Sequence, residues 1–429
     1  MLRRWFFVFV ALFMPRAVWP QGNPAGPEFR VNTFTTNVQD TPAAAADPSG
    51  NFVVVWQGLG QDGSLLGIFG QRYASTGVPL GPEFRVNTNT IGTQALPDVA
   101  SDAFGNFVVV WQSNQDAPAN FGIFGQLSAS IFGQRYASTG APLGPEFRVN
   151  TYTTNDQFVP SVAADPSGNF VVVWSSYGQD GSNGSFGIYG QRFASTGAPL
   201  GPEFRVNTYT TNDQFVPSVA ADPSGNFVVV WSSYGQDGSN FGIFGQRFAS
   251  TGAPLSPEFR VNTYTTNGQF IDPSGNAVAQ DAPGNFVVVW TGTLQDGSAT
   301  GIHGQRFASS GVPLGPEFRV NSYTFGTQEA PAVAGDSAGN FVVVWYGEDG
   351  SAFGIFGQRY ASTGAPLGAE FPVNTYTTGL QKSPSVAADI AGNFVVAWDS
   401  DLQDYSGPGV FGQRYRLIIP VELIHFRVE

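Results

Sequence analysis

Asn226-Phe227-Val228-Val229-Val230-Trp231 is apolar at every position after the asparagine, and three of those positions are β-branched. A strand of this kind has no polar face, so it must be covered on both sides. The same phrase ends at Trp56, Trp111, Trp174, Trp231, Trp290, Trp345 and, as NFVVAW, at Trp398. Each copy is followed by Gly-Gln-Arg-aromatic, first at 70–73 and last at 412–415. Each is preceded by Glu-Phe-Arg-Val-Asn, first at 28–32 and last, as EFPVN, at 370–374. The Trp-to-Trp spacings are 55, 63, 57, 59, 55 and 53 residues. Repeats of this period are single supersecondary units that bury their cores against one another, so the chain reads as one assembly and not as several domains.

Outward from Trp231 the unit resolves into four strands, A to D. Residues 217–222 are a short run of small side chains, and Pro223-Ser224-Gly225 is a turn signal. The NFVVVW run is strand B, 232–240 a loop, 242–248 strand C, 249–257 a Gly/Pro-rich connection and 258–262 strand D. Small residues suit a crowded axis, and the doubly apolar strand B suits the middle of stacked sheets. Strand D alternates, placing Phe259 and Val261 on one face and Glu258, Arg260 and Asn262 on the other, as at a charged outer edge. The expected fold is therefore all-β: a seven-bladed β-propeller of four-stranded antiparallel blades. The chain begins on a D strand and its last full repeat ends on a C strand, so the N-terminal strand can close the ring. The tail 425–429 keeps the offset of a D strand too, and is the competitor. In the second repeat Ile123-Phe124-Gly125-Gln126 recurs at 131–134, lengthening a loop or bulging strand C; in the fifth, Asp272-Pro273-Ser274-Gly275-Asn276 is expected to precede strand A.

Residues 1–21 read as a signal peptide: Arg3 and Arg4 precede a ten-residue apolar run, too short for the roughly 20 residues that span a bilayer. An uncleaved anchor is the other reading. Residues 22–415 form the propeller, and 416–429 an apolar tail or extra strand. No segment of the mature chain reads as a transmembrane span. There is no cysteine, and both methionines, Met1 and Met14, fall in the leader. Acidic residues outnumber basic ones by 13, a sign that repels nucleic acid and anionic lipid. Of the arginines, seven occupy the Gly-Gln-Arg slot and six the Glu-Phe-Arg slot, which reads as structural cross-strand pairing.

In an up-and-down meander the D–A and B–C connections share one face, which collects Asp, Asn, Gln, Thr and Tyr. The B–C aspartates, Asp62, Asp116, Asp180, Asp237, Asp296, Asp349 and Asp404, sit mostly in Gln-Asp-Gly. The turn-forming reading competes with calcium, for which Asp62, Asp180, Asp237 and Asp296 are the candidates. Calcium wants six to eight oxygens, and one carboxylate per loop is thin. Otherwise no cofactor is indicated. Asp156 and Asp213 add carboxylates to that face in the third and fourth repeats, and with Asp180, Asp237, Tyr152, Tyr209 and the counterparts Tyr264, Tyr323 and Tyr376 they suit sugar hydroxyls and rings; solvated loops with partly buried tyrosines are the other reading. Gln157 and Gln214 either line the channel mouth or cap strand ends. His303 fills an aromatic slot and reads as packed. No nucleophilic triad, metal triad or phosphate loop is present, and the near-identity of repeats three and four (144–183 and 201–240) argues for equal contacts over one asymmetric centre.

The GNFVVVW…QDGS…GIFGQRF…PEFRVNT pattern, over residues 28–415, resembles the tandem repeats of large bacterial secreted and cell-surface proteins, often found beside calcium-binding RTX-type segments. The resemblance implies an exported protein with propeller-like repeats and a surface role; it brings no activity, and the RTX nonapeptides are absent here. The expected function is a secreted or cell-surface binding or adhesion module that meets an extracellular glycan or surface protein on its loop-rich face. An extracellular glycan-active enzyme and a purely structural envelope protein are the alternatives.

Overall fold

The computed structural model describes residues 23–115, 129–181, 184–348, 353–404 and 407–416. Seven four-stranded antiparallel blades form a β-propeller. Blade 4 shows the plan: strand A is Gln214–Ala221, B Phe227–Tyr234, C Phe241–Phe248 and D Phe259–Arg260. The seventh blade takes Gln381–Ala388, Phe394–Asp401 and Pro408–Tyr415 from the end of the chain and Phe29–Arg30 from its start. Phe29 pairs with Gly412 and Arg30 with Phe411, so the N-terminal strand closes the ring. The tail 417–429, the duplicated segment 123–126 and the leader lie outside the described residues.

The closure extends beyond one strand pair. In blade 1 the Leu80 amide donates to the Arg72 carbonyl and Gln71 Nε2 to the Gly81 carbonyl. In blade 7 Ala25 and Gly26, from the other end of the chain, take those places against Arg414 and Gln413. The start of the chain thus supplies the second half of a turn as well as a strand.

All seven repeat tryptophans are fully buried, each in a core shared by two blades. Aromatic rings bind blade to blade: Phe52 stacks on Tyr73 at 4.8 Å, and Phe29, from blade 7, meets Tyr73 edge-on at 5.4 Å. The glycine of Gly-Gln-Arg exists for the same contact. A Cβ on Gly412 would lie 2.8 Å from the Phe29 ring, and one on Gly70 2.8 Å from Phe84.

The expectation of cross-strand charge pairing is corrected. The slot arginines reach carbonyls of the next blade's C–D turn: Arg72 bonds Thr139, Arg192 bonds Ser250, and Arg414 bonds Ser75 across the closure. The Glu of Glu-Phe-Arg does not pair with them. Glu83 accepts from the Thr33 amide at 2.5 Å and its hydroxyl at 2.8 Å, and from Gln61. Glu28 does the same for Thr375 and Gln403, completing a belt. A carboxylate held by neutral donors avoids stripping water from a second ion, and such bonds contribute about 1.5–3 kcal/mol each.

Strand D is also shorter than expected, with two paired residues and not five. Asn262 is buried, not outward. Its Oδ1 accepts the Ile243 amide at 2.7 Å, and its Nδ2 donates to the Tyr264 carbonyl and to Gln269 Oε1. The asparagine ends the strand because its side chain replaces the next ladder bond.

Candidate functional site

Strand A is longer than its small-residue run and carries a bulge. In blade 4 Phe215 pairs with Ser232 and Ser218 with Val230, leaving Val216 and Pro217 unpaired. Val216 sits at φ 52°, and Thr41, Leu96, Val159, Ala330 and Ser383 hold the same left-handed conformation in their blades. Non-glycine residues there cost about 1–3 kcal/mol each. The neighbouring blade offsets it: the Val216 amide donates to Ser175 Oγ at 3.1 Å, and Ile271 to Ser232 Oγ at 2.8 Å. Leu96 and Val159 use Gln57 and Gln112 in the same way.

The residue after the strand-A glutamine and the residue after the tryptophan therefore form one cross-strand pair per blade, at the channel mouth of the loop-rich face. In order the pairs are Asp40/Gln57, Ala95/Gln112, Phe158/Ser175, Phe215/Ser232, Phe270/Thr291, Glu329/Tyr346 and Lys382/Asp399. Large faces small and charge faces a polar or opposite partner, as expected of directly opposed side chains. This layer breaks the sevenfold repetition. Blades 3, 4 and 5 contribute an arc of half-buried phenylalanines; blades 6, 7 and 1 contribute an arc of carboxyls with Lys382, the chain's only lysine.

The fifth blade's extra segment interrupts strand A and does not precede it: Gln269–Phe270 pairs before it and Val278–Gln280 after it. It crosses the channel. A Cβ on Gly275 would lie 2.7 Å from Ala332 Cβ and 3.1 Å from the Pro384 carbonyl, on blades 6 and 7. The segment thus narrows the channel below the mouth, where it lines a cavity with Pro42, Pro97, Pro160 and Pro217. Asp272 of this segment accepts from Thr291 Oγ1 at 2.8 Å and from the Ala330 amide at 3.2 Å. It performs the stitch that a serine performs elsewhere. Loss of water pushes its carboxyl up to about 7, with nearby Glu329 adding to the rise. Glu329 accepts from Tyr346 Oη at 2.6 Å and Thr300 Oγ1 at 3.2 Å.

Three further carboxyls are perturbed, of which Asp40 is raised by burial. Asp98, deeper in the channel, receives the Val99 and Val162 amides at 2.8 Å, and burial pushes it up to about 6. Asp399 is fully buried 3.8 Å from Lys382 Nζ, and burial outweighs that ammonium to raise it to about 7.

The residues singled out from sequence fall mainly outside this layer. Gln157 and Gln214 are fully buried; their amides hold Asn150 and Asn207 and the carbonyls of the D–A loop, so they do not line the mouth. Asp156 and Asp213 receive the amides of Ala129 and Phe186 from the preceding blade at 3.1 Å. Tyr152 and Tyr209 are half-buried, and their carbonyls accept from Asn150 and Asn207. The loop aspartates turn inward. Asp237 caps the Ser239 amide, and its Oδ2 lies 2.6 Å from where a Cβ on Gly242 would stand. Asp62 and Asp296 repeat this over Gly67 and Gly301, and Asp180 lies over Gly187. Among the described residues no three carboxylate or histidine side chains converge as a metal site. Asp116 and Asp349 lie outside those residues. His303 is buried, stacks 6.5 Å from Trp290, and burial lowers its pKa.

Sequence reasoning missed the seven mouth pairs. Their signal was the concerted change of two residues at fixed offsets from Gln and Trp.

No family model and no curated protein matches the chain. Among solved structures it is similar to a protein of unknown function from Dyadobacter fermentans DSM 18053, at 10% identity and TM-score 0.52, over 75% of this chain and 95% of that one. It is similar also to the polysaccharide lyase Uly1, at 9% identity and TM-score 0.52, over 94% of this chain and 92% of that one. At such identities these likenesses bear on the fold alone.

Proposed function

We propose that this chain is a secreted or cell-surface binding module that takes a glycan on the loop-rich face, at the channel mouth. One observation carries the reading: the repeats agree in their cores, belts and turns and diverge in the layer that lines this mouth. Gln57, Ser175 and Asp272 make the same stitch with different side chains, so packing leaves this layer free to vary and a ligand can set which residue stands in each blade. Its phenylalanine arc offers flat apolar surface for sugar rings, and its carboxyls, Lys382 and Tyr346 offer hydrogen bonds to hydroxyls. The site calls for no cofactor, and chelating calcium should leave binding unchanged.

A glycan array read together with a reducing-sugar assay tests this: binding without product supports it, and silence across the array contradicts it. A second reading, a glycan-active enzyme, is favoured by one specific feature. Asp272 and Glu329 are carboxyls in unequal surroundings, as a general acid and its partner require. Product formed by the native chain and lost in Glu329→Gln would establish that reading instead.

A further inference from the structure

Blades 3 and 4 each carry a trio of aromatic rings at the loop-rich end, and no other blade has one among the described residues. In blade 3 Phe158 meets Phe186 edge-on at 4.7 Å, and Tyr177 lies 4.9 Å from Phe186. In blade 4 Phe215 meets Phe241 edge-on at 5.1 Å, and Tyr234 lies 5.0 Å from Phe241. The register puts each trio on one face of its sheet: Tyr177 pairs with Phe186, while Phe158 pairs with Ser175, two residues before Tyr177. Ser175 Oγ holds the Val216 amide, so this face looks into the cleft between blades 3 and 4; Ser232 and Ile271 set the same orientation for the cleft between blades 4 and 5. The trios remain partly open, and Tyr234 is 43% exposed. At the same corner blade 5 has Thr293 and Thr300, blade 1 has Leu59 and Leu66, and blade 7 has Asp401 and Pro408.

We infer that these two clefts are twin subsites for a single uncharged polysaccharide that runs around the rim from blade 3 to blade 4. This rests on the glycan reading above and specifies its ligand. A pair of equal clefts one blade apart, about 10 Å for stacked sheets, fits a ligand that presents the same flat ring again after a fixed step. A polymer of one sugar does this; a folded protein surface does not. Partly exposed rings in contact edge to face leave a ring surface on which a pyranose can lie. The acidic chain, net charge −13, disfavours a polyanion. The clefts are not wholly alike: blade 3 has two additional residues, Gly184 and Ser185, and Tyr177 is more covered than Tyr234. The blade 4 cleft is therefore the stronger of the two.

Titration calorimetry with amylose, xylan, β-1,3-glucan and mannan, and with the tetrasaccharide of each, tests the inference. For the polysaccharide that binds, the tetrasaccharide should occupy two sites per chain. The polymer should bridge both and bind at least ten-fold more tightly. Tyr177→Thr and Tyr234→Thr copy what blade 5 already carries at Thr293, so the fold tolerates them. Each should leave one tetrasaccharide site and remove the polymer's advantage, Tyr234→Thr with the greater loss; the double variant should bind neither probe. One tetrasaccharide site in the native chain, or tight polymer binding in the double variant, would overturn the twin sites while leaving a glycan module elsewhere on the face. Failure of every polysaccharide, or capture of an unstructured peptide in their place, would overturn this inference and the glycan reading together.

Discussion

The two halves of the channel mouth solve the same packing problem with opposite chemistry. In blades 3 to 5 a phenylalanine stands opposite Ser175, Ser232 or Thr291, and the small hydroxyl holds the next blade's bulge amide or, through Asp272, supports the group that does. In blades 6, 7 and 1 the partners are Glu329/Tyr346, Lys382/Asp399 and Asp40/Gln57. The apolar half contributes area and shape. The charged half retains two carboxyls, Asp399 and Asp40, that burial drives toward their protonated forms, which weakens the fold at neutral pH. One side of the ring thus carries a cost that a Phe/Ser pair would avoid.

Exchanging the halves is the harshest way to break that contrast. Lys382→Phe alone leaves Asp399 buried without its ammonium. Loss of one partner of a buried pair costs about 3–5 kcal/mol, and the partial exposure of Lys382 lowers this to about 2 kcal/mol. Adding Asp399→Ser imports the blade 4 pair and should recover most of the loss in chemical denaturation. Failure of the double variant to recover would mean that the two arcs are not interchangeable in packing.

The apolar half can be emptied instead. Phe215→Ala removes a half-buried ring and should cost about 2 kcal/mol, below the 3–5 kcal/mol of a fully buried one. Equilibrium unfolding in urea reads this, and a cost under about 0.5 kcal/mol would show that the arc does not pack as described.

Titration separates the buried carboxyls from the phenylalanine arc. A carboxyl held near 7 in the folded chain keeps its proton where the unfolded chain, near 3.8, has lost it. The folded state therefore binds more protons between about pH 4 and pH 7, and stability falls as pH rises through that window. Asp272→Asn and Asp399→Asn should each reduce the difference in Tm between pH 5 and pH 8, whereas Phe215→Ala should leave that difference unchanged. A pH gap as wide in the asparagine variants as in the native chain would remove those carboxyls from the account.

The smallest expected effect belongs to the stitch. Ser175→Ala strips the acceptor from the Val216 amide and should cost about 1 kcal/mol, the lower end for a lost acceptor, since water can enter from the mouth. Hydrogen exchange at Val216 should quicken while the amides of strand B stay protected; no change at Val216 would argue against the bond.

Much of this architecture was legible in the sequence. The NFVVVW period gave the blade count, the small-apolar-charged gradient gave the strand order, and a D strand at the start with a C strand ending the last full repeat gave the closure. What escaped depends on register. Asn262 looked outward because strict alternation was assumed, yet the strand stops after Arg260 and the asparagine turns in to replace a ladder bond. Gln157 and Gln214 read either as mouth residues or as caps on strand ends, and composition could not choose, because burial with full hydrogen bonding leaves no trace in it. The bulge at Val216-Pro217 shifts which residues face each other, so the pair Phe215/Ser232 could not be matched before the ladder was seen. Repeats three and four, being nearly identical, also drew attention away from the positions where blades differ.

The central claim is that recognition belongs to the loop-rich mouth and not to the opposite rim, where Leu200 and Leu255 are 39% and 48% exposed. The direct measurement is the affinity of the native chain, of Phe158→Ala with Phe215→Ala, and of Leu200→Ser with Leu255→Ser for the glycan that the array selects. The account predicts at least a ten-fold loss for the phenylalanine pair and none for the leucine pair. Equal affinity in all three, or a loss confined to the leucines, would contradict it.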